Sequence, residues 1–377
     1  VLQGWWFSEG MWKAPRLAVC WSETETGGRA HARGRMRAST TSMELFFHVC
    51  FAILFGALRT QLLETQDYEW FAQSFLAVWS MLAFAADYAT RFNDDDIPHK
   101  IFWSGYGFGL IGARMHALGE TNERTFGAYV GLTLCLIGVM YLRVAAFLPE
   151  CRRFASFFGC GLVIVAGLWA LCPTRRWLWV PALAHHWLTL LFVGVMPRSD
   201  DVPMSIDYHT SKFAGIMTMS MGQMCVAVGL NPEAVAPSAL RDSYVSAGLC
   251  FLLLLDFKLL IFDADYVAQA NHAIRRSRRA ALAWLLLSQP LLCFFANLVA
   301  AGMSQVQFAL SLGRDACESD GRAMAFGTRM LCGSSGSLLL VALLTSRLHR
   351  TGKAHQTSQR LVRTKHWQRR GGFCVPR

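Results

Sequence analysis

An all-α polytopic transmembrane helix bundle is the fold class this sequence predicts, and three observations carry the prediction. Of the 377 residues, 54% are hydrophobic and only 16% charged, and the mean hydropathy is +0.31, more apolar matter than one soluble core takes up. Apolar runs long enough for a bilayer crossing, about 20 residues each, recur from Met43 to Ser346. Short polar stretches separate them, the pattern of helices that satisfy their own backbone hydrogen bonds in lipid. The same composition excludes a mainly soluble enzyme and a disordered chain.

Taken in order, residues 1–42 read as a polar, basic tail without a fold, carrying Arg29, Arg33, Arg35 and Arg37. Glu9, Lys13 and Pro15 interrupt Val1 to Cys20, so this stretch lacks the apolar core of a signal peptide. Residues 43–346 form the membrane domain, with about ten spans. They are Met43 to Leu63, Phe71 to Ala89, Ile101 to Leu118, Phe126 to Leu148, Phe154 to Cys172, Trp177 to Met196, Phe213 to Leu230, Tyr244 to Phe262, Ala280 to Met303 and Phe326 to Ser346. Residues 347–377 form a basic tail with no acid.

The net charge of +11 is read as orientation in the bilayer rather than as nucleic-acid binding, because the Lys and Arg residues flank apolar runs. With both termini cytoplasmic, the inner side collects Arg91, Lys100, Arg152, Arg153, Arg198, Lys212 and the Arg275-Arg276-Ser277-Arg278-Arg279 cluster. Arg175 and Arg176 count against this arrangement, and eight spans remain an alternative. The C-terminal tail is suited to anionic lipid headgroups, although topology alone also explains it. The 12 scattered cysteines have no paired spacing and read as small buried hydrophobes, not as disulfides or metal ligands. No metal motif, nucleotide loop or catalytic triad spacing occurs, so neither a cofactor nor an enzymatic activity is expected.

Charged groups inside lipid cost at least about 2.5–3.5 kcal/mol each, so their positions carry the functional signal. His48 and Arg59 fall in the first span, Asp87 near the end of the second, Arg114 in the third and Arg143 in the fourth. Asp256 lies within the eighth, and Asp263, seven residues on, shares its helical face. Lys258, two residues from Asp256, points elsewhere, so each is expected to pair with another span, Arg114 being the candidate for Asp256. The predicted polar centre is His48, Asp87, Arg114, Gln223, Asp256 and Asp263; it serves either as helix-pairing charges or as an ion or solute pathway. The adjacent His185 and His186 face different directions and read as hydrogen-bonded bundle residues. Gly105 and Gly109 form a small-xxx-small pair that favours close helix approach. The loop acids Asp94, Asp95 and Asp96 either cap the following helix or, with Arg91, form a cation or lipid-headgroup site.

Four places along the chain resemble the bacterial low temperature requirement A family of multi-pass membrane proteins. Glu44-Leu45-Phe46-Phe47-His48 is similar to its Glu-Leu-Phe-Phe-Asp, with His48 in place of the acid. Trp79 and the stretch from Arg91 to Lys100 resemble its Arg-Phe-x-x-Asp-Asp-x-Pro-x-basic pattern. Ser211-Lys212-Phe213-Ala214 and Gly222-Gln223 stand where the family has Glu-Arg-Phe-Gly and Gly-Glu. Phe262-Asp263 resembles the family's aromatic and acidic end of a later span, and Ser288-Gln289-Pro290-Leu291 resembles its His-x-Pro-Leu, with Ser288 in place of His. The resemblance runs from about Met43 to Met303 and implies a multi-pass membrane protein linked to growth in the cold. The expected function is transport or ion conduction. The alternative is a non-transporting scaffold or sensor that has lost the family's ionisable site, with Gln223 keeping hydrogen bonds across helices.

Overall fold

A computed structural model describes residues 16–17, 42–93, 97–117, 123–171, 177–197, 201–202, 204, 206–229, 235, 237–265, 272–311 and 321–349. Apart from one small strand pairing, regular structure among them is helical. The helices are α1 (Ser42–Thr65), α2 (Tyr68–Arg91), α3 (Ile97–Met115), α4 (Glu123–Phe147), α5 (Arg152–Leu171), α6 (Trp179–Ala182), α7 (Ala184–Val195), α8 (Ile206–Val228), α9 (Leu240–Asp265), α10 (Ala273–Arg276), α11 (Arg278–Ala283), α12 (Gln289–Ser311) and α13 (Gly321–Leu348). A π turn, Trp284–Ser288, joins α11 to α12. Strands β1 (Arg16–Leu17) and β2 (Phe92–Asn93) pair antiparallel, Arg16 opposite Asn93, so part of the tail read as structureless docks beside the end of α2.

Each of the ten predicted segments contains helix, but six helices of the described residues are long and apolar enough to cross a membrane. These are α1, α4, α5, α9, α11 with α12, and α13. The difference from ten has a plain cause. Helices α2, α3 and α8 are long, but Gln73 and Asp87, Lys100 and Arg114, and His209, Lys212 and Gln223 lower their mean hydropathy. The predicted sixth span breaks at Leu183 into α6 and α7.

The more polar α2 is the buried axis of the bundle, packed against α1, α4, α6, α7, α8 and α12. Its start is set by Asp67, whose carboxylate accepts the Trp70 backbone N–H at 3.0 Å, an N-cap. Gln66, at φ 55°, turns the chain back from α1. From Trp70 to Thr90 the helix is buried around most of its circumference. Phe75 stacks on Trp79 and meets Phe294 of α12 edge-on, while Trp79 reaches Phe213 of α8.

Neighbouring helices approach closely where glycine leaves room. A Cβ at Gly131 of α4 would lie 2.9 Å from the Ala166 carbonyl of α5, and one at Gly302 of α12 2.7 Å from the Leu331 nitrogen of α13. The Gly105 and Gly109 pair acts within the bundle, at the α3–α4 contact: a Cβ at Gly105 would meet Leu136 at 3.1 Å, and one at Gly109 would fall on the Thr133 hydroxyl. Gly109→Ala is therefore expected to cost about 1 kcal/mol by overpacking, measured as earlier thermal unfolding in detergent. An unchanged unfolding curve would show that this contact yields freely.

Candidate functional site

The last turn of α2 places Asp87 and Arg91 one helical turn apart, on the same face. Arg91 Nε lies 3.1 Å from both carboxylate oxygens of Asp87, and Nη2 lies 3.0 Å from Oδ1. Tyr141 of α4 donates its hydroxyl to Asp87 Oδ2 at 3.2 Å. Arg91 also donates from Nη1 to the Val202 carbonyl, and its guanidinium sits 4.7 Å from the centre of the Phe154 ring. The side chains are only 14% and 16% exposed, so water screens the pair little. A second polar chain lies beside it. Arg143 Nη1 is 3.2 Å from His99 Nδ1, and His99 Nε2 is 2.5 Å from the Tyr88 hydroxyl. A guanidinium can only donate, so His99 accepts at Nδ1 and carries its proton on Nε2, facing Tyr88.

Beyond the ion pair opens a cavity of about 260 Å³, lined by residues of α2, α5, α7, α8 and α11. That volume lies just below the range of about 300–1,000 Å³ usual for small-molecule sites. Phe84, Phe154, Phe158 and Phe192 form an aromatic side, while Asp87, Arg91, His185, Thr189, Asp201, His209 and Arg278 supply the polar groups. His209 is 2% exposed, and neither of its ring nitrogens has a hydrogen-bond partner among the described residues. The same holds for His185 Nδ1 and Arg278 Nη2. Buried polar atoms almost always find a partner in protein or water. Several such atoms surround this one cavity.

The adjacent histidines diverge as expected. His185 lines the cavity and packs edge-on against Phe84. His186 turns the other way and donates from Nε2 to the Leu286 carbonyl at 2.7 Å. That carbonyl lies in the π turn, and its usual α-helical donor is the N–H of residue 290, which is Pro290 and has none. His186 gives that carbonyl a side-chain donor and ties α7 to the π turn.

The predicted polar centre divides. Asp87 belongs to the cavity, and Arg91, read as part of the loop cluster, is its ion-pair partner. His48 and Gln223 lie on a separate α1–α8 seam, where Gln223 donates from Nε2 to the Ala52 carbonyl at 3.0 Å and Arg59 donates to the Gln223 carbonyl. His48 is buried there against Gly215, whose added Cβ would lie 2.9 Å from the ring. Arg114 is half-buried in the last turn of α3 and makes no ion pair with Asp256. Asp256 and Lys258 are exposed on α9 and make no ion pair with another span among the described residues, contrary to the expected pairing. Asp95 and Asp96, and the side chain of Asp263, lie outside the described residues.

Sequence reasoning missed His209, Tyr141, Thr189 and Arg278 as site residues. It started the seventh span at Phe213, whereas α8 begins at Ile206, bringing His209 and Lys212 into the buried interior. The spacing of four between Asp87 and Arg91 was the available signal, obscured by ending the second span at Ala89.

Neither the curated proteins nor the solved structures yield a match to this chain. A family profile described as bacterial low temperature requirement A protein (LtrA) matches residues 39–364, which contain the whole helical region. With that match across most of its length, the chain belongs to the bacterial low temperature requirement A family.

Proposed function

We propose that this membrane protein is a transporter or ion-conducting protein, with the cavity beside Asp87 and Arg91 as the place where the passing ion or small solute binds. The observation that carries the reading is the convergence of polar groups from α2, α7, α8 and α11 on one cavity, with buried imidazole nitrogens that have no hydrogen-bond partner among the described residues. A scaffold would pair each polar group and close the space. In this reading α2, α3, α8 and the α6–α7 pair cross the membrane together with the six most apolar helices. Both termini are cytoplasmic, and the basic C-terminal tail lies on anionic lipid. The histidines bind rather than catalyse, and growth in the cold is the setting that the family's name suggests.

The test is proton and ion flux in liposomes carrying the purified protein, with His209→Phe as the main variant. Phenylalanine keeps the volume and removes two nitrogens that have no partner among the described residues, so the fold is expected to hold while flux falls severalfold. Asp256→Asn, on the outer face of α9, is expected to leave flux per folded protein unchanged. If the folded wild-type protein gives no flux above empty liposomes, transport is refuted and a scaffold or sensor becomes the better reading.

A further inference from the structure

Helix α9 stands at the edge of the bundle. Only 22% of its apolar window is buried within the protein. Val245, Gly248, Leu252, Leu255 and Leu259 recur at alternating steps of three and four, and all five are exposed. That is the spacing of a seam along which one helix packs against another. An added Cβ at Gly248 would meet nothing within 4 Å, so space for a close approach is open at that point.

Asp256 and Lys258 flank this seam on opposite sides. Asp256 directly follows Leu255 and Lys258 directly precedes Leu259, the two flanking positions of a heptad. Both are exposed, and neither makes an ion pair or hydrogen bond among the described residues. In a span otherwise apolar enough to cross the membrane, two unpaired charges facing lipid are costly, and such groups ordinarily pair. They cannot pair within α9, because positions two apart point away from each other.

We propose that α9 is the interface between two copies of this chain, packed along the Val245 to Leu259 seam, with Asp256 of each copy facing Lys258 of the partner subunit. A twofold axis along the membrane normal sets the two helices parallel and brings the acidic flank of one against the basic flank of the other, on both sides of the seam. The apolar stripe then buries against itself, and each charge gains the partner that its own bundle does not supply.

The experiment is energy transfer between donor- and acceptor-labelled copies of the full chain in liposomes, followed as the protein is diluted in lipid. Wild type is expected to associate above the level of random proximity. Asp256→Lys alone and Lys258→Asp alone each place like charges together and are expected to weaken association about tenfold. The double exchange, Asp256→Lys with Lys258→Asp, is expected to restore it. Because neither side chain bonds within its own bundle, gel filtration should show all variants folded. Gly248→Leu, which carries no charge change, is expected to weaken association as well by blocking close approach. Random proximity for wild type, single reversals that behave as wild type, or a double exchange that fails to restore association would each overturn the proposal.

Discussion

Asp87→Ala is expected to destabilise the protein by about 3 to 5 kcal/mol, the cost of leaving a buried charge without its partner. Arg91 would keep its guanidinium among Phe154, the Val202 carbonyl and the cavity wall without its ion-pair partner, leaving Asp201 of the cavity lining as the carboxylate that still acts on it. Arg91→Ala is expected to cost a similar amount, since Asp87 would then retain only the Tyr141 hydroxyl. Tyr141→Phe removes one hydrogen bond to a charged acceptor and is expected to cost about 1.5 kcal/mol. The two alanine substitutions together should cost less than their sum, by about 1 to 3 kcal/mol, because each alone strands the other group. Reversible denaturant unfolding in detergent, followed by tryptophan fluorescence, measures all four variants. Small and additive effects would mean that water reaches the pair and that it is a surface bridge in energetic terms.

His186→Ala is expected to cost up to about 3 kcal/mol, by removing the side-chain donor to the buried Leu286 carbonyl. The origin of that cost can be separated from lost packing. Pro290→Ala returns a backbone N–H four residues after Leu286, so in that background the same His186→Ala substitution should lose most of its effect. Gln at position 186 keeps a side-chain N–H and is expected to fall between the two. Thermal unfolding of the single and double variants measures the coupling directly. An equal cost with and without Pro290 would show that the imidazole acts by filling space and not by satisfying the carbonyl.

The helices were largely legible in the sequence, and the reason shows at particular places. An apolar run such as Phe126 to Leu148 has to close its backbone hydrogen bonds on itself in lipid, so composition and length alone define α4. The spacing of Gly105 and Gly109 gave a close helix approach without naming Thr133 and Leu136 as what is approached. The adjacency of His185 and His186 gave divergent directions, because neighbouring positions on a helix lie about 100° apart. It did not give the Leu286 carbonyl, whose need for a donor arises from Pro290 some hundred positions away.

The candidate site was legible only in part. Asp87 is legible as a costly charge in an apolar span, but Arg91 reads as a loop residue because the apolar run of that span gives out at Ala89. His209 is not legible, because the polar residues at the start of α8 read as a loop. Asp256 stood out by the same criterion as Asp87, yet the two have opposite surroundings: one is enclosed by α2 and α4, the other exposed on α9. Burial of a helix face depends on which neighbours cover it, and hydropathy does not record that.

By itself the sequence determined that this is a helical membrane protein with helices at ten places along the chain, because backbone polarity and apolar length are local properties. The tertiary structure alone decided which charges meet, that the most buried helix is the comparatively polar α2, and that a cavity remains between Arg91, His185 and His209. Those outcomes depend on the angular phase of one helix against another, which is set by side-chain packing over long separations in the chain.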